Sequence, residues 1–143
     1  MSKLISIIAP CFNEKGNIQA FYDKIKNIFN NKLHEYEYEI IVVDDYSKDG
    51  SVEILEKIAE IDNNFKVIFN SRNYGVHIST FNAIKYAKGD ALIPMLPVDM
   101  QDTPELIVDF IRKWEEGFDI VYGIKKKREE SFFLVTLRNF YYR

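Results

Sequence analysis

Hydrophobic and polar positions along the chain follow two alternating patterns. Residues 4–9 and 38–43 are short, almost continuous apolar runs rich in Ile and Val, which is typical of strands buried on both faces of a sheet. After each run, apolar residues recur every three or four positions among polar ones, which indicates an amphipathic helix. This alternation predicts an α/β fold with a mostly parallel, doubly wound sheet flanked by helices.

Two of the predicted strands meet a proline. Pro10 is expected to end the first strand and Pro94 to make the fourth irregular, because proline cannot donate a ladder hydrogen bond. Right-handed crossovers would bring the loops after the strands to one edge of the sheet. A helix is expected at residues 76–87. The predicted strands are residues 4–9, 38–43, 65–69, 91–96 and 119–124, and the converging loops are residues 10–17, 44–51, 70–75 and 97–103.

Composition narrows the class of protein. The 143 residues, 47% hydrophobic and 29% charged, suit one globular domain. A net charge of -3 gives no general attraction to nucleic acid. The single cysteine, Cys11, cannot form an internal disulfide and fits a reducing compartment. Because the chain shows no secretory signal and no apolar run near the roughly 18 residues of a spanning helix, we expect a cytoplasmic protein that is either free or peripheral on the cytoplasmic face of a membrane.

The loop after the fourth predicted strand carries oxygen ligands. Asp99, Gln101 and Asp102 lie close together, at the edge where an open α/β sheet binds its ligand. Two carboxylates and an amide suit a hard divalent cation that takes its other ligands from water and substrate phosphates. The alternative is that Asp102 and Thr103 cap the next helix while Asp99 faces solvent.

The loops after the second and third strands hold further polar candidates. Asp44 and Asp45 could accept hydrogen bonds from a ribose hydroxyl or a base N–H, and Arg72 could donate two hydrogen bonds to a phosphate. In the alternative, Arg72 is solvated and the second loop only caps its helix through Ser47 or Asp49.

The first loop excludes one common nucleotide site. It contains a single glycine, Gly16, and so lacks the G-x-G-x-x-G fingerprint of dinucleotide-binding folds. Cys11 is interpreted as a small residue beside this loop and not as a nucleophile, because no base is evident near it. His34 and His77 are given no role.

The last residues form a separate pattern. Residues 125–128 are basic, and an apolar, aromatic segment follows at residues 131–142. This pattern suits binding in the plane of a membrane interface. The alternative is a last helix that packs on the sheet or on a partner, including a second copy of the chain.

Four motifs together resemble a known family. They resemble inverting nucleotide-sugar glycosyltransferases of the GT-A (Rossmann-like) fold, and most of all the polyprenyl-phosphate sugar transferases related to dolichol-phosphate mannose synthase. The motifs occur in the expected order and spacing and span residues 5 to about 131. They are S-I-I-A-P-C-F-N-E at residues 6–14, E-I-I-V-V-D-D-Y-S-K-D-G-S at 39–51, S-R-N-Y-G at 71–75 and D-M-Q-D-T-P-E at 99–105.

The resemblance implies an activity and a set of roles. The activity is inverting transfer of a sugar from a UDP- or GDP-sugar to a polyprenyl-phosphate lipid, helped by Mg²⁺ or Mn²⁺. Asp99 would be catalytic and, with Gln101, would face the metal and the diphosphate. The nucleotide would contact Pro10, Phe12, Asn13, Glu14, Arg72 and either Asp44 or Asp45, and the lipid phosphate would contact Lys126, Arg128 and Ser131.

Two departures from the family pattern qualify these expectations. Pro97 stands where the D-x-D metal motif has its first aspartate, so a metal would be weakly held. The chain is also shorter than its relatives, so we expect a fold truncated at the C-terminus, with a nucleotide-sugar-binding core at residues 1–124 and a basic, aromatic tail at residues 125–143.

Three other functions stay open. The chain could glycosylate a saccharide or protein acceptor, which would require a carboxylate base. It could be a nucleotide-sugar-binding module without catalysis. It could also be an interaction domain that dimerises through its aromatic tail.

Overall fold

The computed structural model describes residues 2–124, which form a parallel sheet with helices on both faces. The four strands run in the order β3-β2-β1-β4, and all three strand pairs are parallel. This confirms the predicted fold class. In chain order the elements are β1 Leu4–Cys11, α1 Ile18–Lys32, β2 Glu37–Asp44, α2 Ser51–Ile61, β3 Phe65–Phe69, α3 Val76–Ile84, β4 Ala91–Ile93 and α4 Leu106–Glu115.

The sheet separates two apolar layers because successive strand residues point to opposite faces. Ile7 and Val42 share one face with side chains of α1, α2 and α4. Ile8 and Val43 share the other face with Ala83 of α3. Burial on both faces explains why β1 and β2 read as continuous apolar runs in the sequence.

The two prolines act differently from each other. Strand β1 passes through Pro10 to Cys11, so the expected stop at Pro10 is wrong. The ring removes only an N–H, and the Pro10 carbonyl still accepts a hydrogen bond from Val98 at 3.4 Å. Strand β4 instead ends at Ile93, immediately before Pro94, and is shorter than expected. The chain then rejoins β1, since the Leu96 N–H donates to the Ile8 carbonyl at 2.9 Å.

The fifth predicted strand, at residues 119–124, is wrong. These residues are irregular, although they are rich in the apolar residue types that favour strands. Ile120, Tyr122 and Ile124 are exposed. A strand needs a neighbour for its backbone hydrogen bonds, and within residues 2–124 this segment pairs with none.

Helix starts rely on backbone geometry more than on the expected side-chain caps. Gly50 is the N-cap of α2 and Glu105 that of α4, and neither of these two residues makes a cap bond through its own side chain. The Asp49 carboxylate nevertheless accepts the Ser51 N–H at 3.0 Å. Helix α3 stops at Ile84, three residues before the predicted end. None of the helices described is long and apolar enough to cross a bilayer.

Candidate active site

The loops after β1 and β2 are hydrogen-bonded to each other. The Asn13 N–H donates to Ser47 Oγ at 2.8 Å, and Asn13 Oδ1 accepts the Lys48 N–H at 2.9 Å. The Glu14 N–H donates to Ser51 Oγ at 3.0 Å. Asn13 has a φ of 55°, a left-handed conformation that asparagine tolerates better than most residues. The Asn13 side chain therefore holds the loop pair together.

The adjacent aspartates after β2 point to opposite faces of the sheet. The Asp44 carboxylate accepts the Ser47 N–H at 3.0 Å through Oδ2. Its Oδ1 is buried and has no hydrogen-bond partner among the described residues. Asp45 faces α3, where its Oδ1 accepts the Ser79 hydroxyl at 3.0 Å.

The Asp45 carboxylate holds the loop after β3. Oδ1 accepts the Tyr74 N–H at 2.9 Å and the Asn70 amide at 2.8 Å, and Oδ2 accepts the Gly75 N–H at 2.8 Å. Burial opposes the charge on Asp45, but these hydrogen bonds outweigh burial and lower the pKa of the carboxyl group. Asp45 is therefore an ionised anchor with both oxygens engaged.

Cys11 lies beside Asp44 across the β1–β2 pair. Burial raises the pKa of the Cys11 thiol to about 12, and the charges of Asp44, Glu14 and Asp49 add to this effect. The nucleophilic form of cysteine is the thiolate, so this thiol stays protonated and unreactive near neutral pH.

The loop after β4 reaches the same edge of the sheet. Asp99 is half-buried, and its Oδ1 accepts the Gln101 N–H at 3.1 Å. Met100 between them has a φ of 55°, which is uncommon for a residue other than glycine. Strained backbone of this kind is enriched at functional sites.

A cavity of about 250 Å³ opens where these loops meet. Ligand clefts of open α/β sheets lie at this place, outside the carboxyl ends of the strands. The cavity has two acidic walls, one from the loops after β1 and β2 and one from the loop after β4. It is lined by Pro10, Cys11, Phe12, Glu14, Asp45, Asn73, Gly75, Val76, Pro97, Val98 and Asp99.

The model of the family described as "Glycosyl transferase family 2" matches residues 6–142. The chain belongs to glycosyl transferase family 2. It is 38% identical over 139 residues to the uncharacterized glycosyltransferase YkcC of Bacillus subtilis, with 96% of this chain and 42% of that protein covered. It is 35% identical over 133 residues to the undecaprenyl-phosphate 4-deoxy-4-formamido-L-arabinose transferase of Proteus mirabilis, with 92% and 40% covered.

A solved structure supports the fold. The chain superposes on the mannosyltransferase PcManGT of Pyrobaculum calidifontis with a TM-score of 0.59 and 20% sequence identity, covering 80% of this chain and 32% of that one. The resemblance to the GT-A fold is thereby confirmed. The chain spans about two fifths of the length of the curated relatives it matches.

The residues predicted for the family 2 site fall into three groups. Pro10, Phe12, Glu14, Asp45 and Asp99 line the cavity. Asn13, Asp44, Arg72 and Gln101 do not line it, and Lys126, Arg128 and Ser131 lie outside the described residues.

Arg72 belongs to the R-N-x-G motif but does not itself line the cavity, and its contact with the nucleotide stays a prediction. The Arg72 side chain is exposed, and its guanidinium lies over the Tyr74 ring at 4.7 Å. Asn73 and Gly75, from the same R-N-x-G motif, line the cavity instead. The R-N-x-G motif therefore indicates the cavity correctly as a segment. Within it, the arginine is the residue predicted from sequence because arginine is a common phosphate ligand.

The residues available to a metal match a weakly protein-bound cation. Within the part of the chain that the structure describes, no three His, Cys, Asp or Glu side chains group as metal ligands. Asp99 offers a carboxylate in the cavity, and Gln101 offers an exposed amide beside it. A hard cation bound by one carboxylate would take its other ligands from water and substrate phosphates, as Mg²⁺ commonly does.

Proposed function

We propose that this chain transfers a sugar from a nucleotide-sugar donor to a polyprenyl-phosphate acceptor, with inversion at the anomeric carbon. The observation that carries the proposal is the cavity at the carboxyl edge of the sheet, which Asp99, Asp45 and Glu14 all line. Family membership supports sugar transfer. The name of the Proteus mirabilis relative, an undecaprenyl-phosphate sugar transferase, supports the lipid acceptor.

The donor would enter with its base near the first loop. Phe12 lies at the cavity and is 46% exposed, so its ring has a free surface on which a base can stack. Asp45 is already engaged by four hydrogen bonds and would act mainly by holding Asn73 and Gly75 in place. UDP- and GDP-sugars are both candidates. The Pyrobaculum calidifontis mannosyltransferase was solved with GDP-Man and Mn²⁺, which supports a metal-dependent diphosphate site.

Asp99 would hold the diphosphate end of the donor. Its carboxylate, with the Gln101 amide, would bind a divalent cation, Mg²⁺ or Mn²⁺. When bound, such a cation stabilises the negative charge that develops on the departing nucleoside diphosphate. The hydrogen bond from the Gln101 N–H fixes one Asp99 oxygen and leaves Oδ2 to face the ligand.

A phosphate acceptor reduces the chemistry that the protein must supply. A lipid phosphate is already an anion and needs little help from a general base, whereas a sugar or protein hydroxyl does. Lys126, Arg128 and Ser131 stay predictions for the acceptor phosphate, and residues 125–143 stay a predicted separate tail.

Calorimetry with UDP, GDP and their sugars, with and without Mn²⁺, tests the donor site and identifies the base. Release of nucleoside diphosphate in the presence of undecaprenyl phosphate then tests transfer. Asp99→Asn should abolish release, while Asp119→Asn, an exposed carboxylate outside the cavity, should not. Wild-type turnover by Asp99→Asn would remove Asp99 from the mechanism. If the chain binds nucleotides but releases no nucleoside diphosphate with any acceptor, the result would instead favour a nucleotide-sugar-binding module without catalysis.

A further inference from the structure

Helix α3 packs on the sheet through small side chains. Ser79, Thr80 and Ala83 are buried, and Ala83 contacts the layer formed by Ile8 and Val43. A surface helix that packs in this way normally presents polar side chains to water on its opposite side.

The opposite side of α3 carries two large apolar side chains beside the exposed polar residues His77 and Asn82. Ile78 is 54% exposed and Phe81 is 75% exposed. Lys85, the exposed C-cap residue, follows Phe81 at a spacing of four residues and continues the line of Ile78 and Phe81 along the helix surface. The exposed Tyr74 lies in the loop just before the helix. We call the surface formed by Tyr74, Ile78, Phe81 and Lys85 the α3 outer face.

The charge around this face differs from that of the whole chain. Residues 70–89 contain Arg72, Lys85 and Lys88 and no acidic residue, although the chain has 22 acidic residues and a net charge of -3. The cations also contact aromatic rings, since Arg72 lies over Tyr74 at 4.7 Å and Lys85 lies over Tyr86 at 5.3 Å. The result is an apolar strip bordered by tyrosines and positive charge.

We propose that the α3 outer face docks on the surface of a bilayer that contains anionic lipids. Exposed Ile and Phe side chains would enter the boundary between headgroups and acyl chains. Tyrosines favour the headgroup level, and each basic residue near an anionic leaflet adds attraction. A bilayer is favoured over a protein partner because the apolar strip projects from a helix and is bordered by like charges that complement an anionic surface.

The docking face adjoins the candidate active site. Tyr74, at one end of this face, lies between Asn73 and Gly75 in the chain, and both of these residues line the cavity. Docking would therefore place the cavity mouth near the membrane surface, where a lipid phosphate resides. This consequence rests on the proposed function, whereas the docking itself does not depend on catalysis.

Vesicle co-sedimentation tests the docking without any transferase assay. Ile78→Gln/Phe81→Gln removes the apolar strip, and Lys85→Glu/Lys88→Glu reverses the local charge. Ile61→Gln is the matched control, because Ile61 is 80% exposed and ends α2. All these side chains are exposed, so circular dichroism should show an unchanged fold for each variant. The 143-residue chain is mixed with vesicles of phosphatidylcholine alone or with added phosphatidylglycerol.

Wild type and Ile61→Gln should bind the vesicles with phosphatidylglycerol more tightly than those without it. The double Gln variant should partition roughly tenfold less, because burying one large apolar side chain is worth at least that factor. The double Glu variant should lose the preference for phosphatidylglycerol. If the double Gln variant binds the vesicles as tightly as the wild type, the proposal is overturned and residues 125–143 become the candidate for vesicle binding. Absence of vesicle binding by the wild type would also overturn the proposal. If the wild type then self-associates and the variant without Phe81 does not, the α3 outer face binds a second copy of the chain.

Discussion

The Asp45 carboxylate accepts the backbone N–H of Gly75 at 2.8 Å. A residue at the end of β2 thereby positions the turn that starts α3, where Gly75 is the N-cap with a φ of 87°. Asp45, Asn73 and Gly75 all line the cavity. The shape of the candidate active site on this side therefore depends on one carboxylate, whatever that carboxylate does to a substrate.

Asp45→Asn should destabilise the fold. An amide in this place keeps one acceptor oxygen and turns its NH₂ group toward other donors, so at least one partly buried donor loses its bond to residue 45. We expect a loss of about 1–3 kcal/mol in the free energy of unfolding, measured by urea denaturation at neutral pH. Asp23→Asn is the control, because Asp23 is exposed and accepts one bond from Gln19. Equal stability of Asp45→Asn and wild type would contradict the anchoring role.

The stability gap between wild type and Asp45→Asn should depend on pH. The folded-state pKa of Asp45 is lowered relative to an unfolded value of about 3.9. Its contribution is therefore fully present above the unfolded pKa and is lost as pH falls through the folded pKa. Denaturation curves from neutral pH down to about pH 3 should show the gap narrowing only at the acid end. A gap that is constant over this range would contradict an ionised Asp45.

The sequence predicts the sheet well because two-sided burial leaves a strong pattern. Strands β1, β2 and β3 were all expected close to their observed bounds. The segment at residues 119–124 shows the limit of this reasoning. The segment is rich in β-branched and aromatic residues, as strands are, but strand formation requires a neighbouring strand with free hydrogen-bonding groups. Whether such a neighbour is present depends on the tertiary structure and cannot be predicted from the sequence of the segment alone.

The sequence predicts the site at the level of motifs and less well at the level of side chains. Every predicted loop contributes to the cavity or to its support. Whether a given side chain faces the ligand or the neighbouring loop depends on backbone dihedral angles. Asn13, for example, is predicted to contact the nucleotide, and in the structure its backbone is left-handed and its amide oxygen accepts the Lys48 N–H. A short sequence motif does not specify these backbone dihedral angles.

Cys11 should resist thiol reagents in the folded protein. Its thiol is 2% exposed, and its pKa is raised to about 12 by burial and then by Asp44, Glu14 and Asp49. At pH 8 the thiolate fraction is therefore negligible. Ellman's reagent should label Cys11 only as fast as the folded chain opens and exposes the thiol. The unfolded chain, with a thiol pKa of about 8.5, should react at once. Because the chain has one cysteine, the absorbance reports this site alone. Rapid labelling of the native protein would contradict the buried, protonated thiol.

Gly89→Ala should destabilise the fold, whereas Gly16→Ala should not. A Cβ at residue 89 would lie 2.6 Å from the Ser6 backbone nitrogen and 2.8 Å from the Ala91 carbonyl oxygen. These are backbone atoms of the paired strands β1 and β4, so they cannot move without disturbing the pairing.

The same substitution would also strain a hydrogen bond, since the Gly89 N–H donates to Ser6 Oγ at 2.8 Å. We expect a loss of about 1–3 kcal/mol in the free energy of unfolding, measured by urea denaturation. At Gly16 an added Cβ meets nothing within 4 Å, and the backbone is not left-handed. Gly16→Ala should therefore unfold at the wild-type urea concentration or slightly above it, because alanine restricts the unfolded chain more than glycine does. Equal effects of the two substitutions would show that the approach of residue 89 to β1 is looser than the distances indicate.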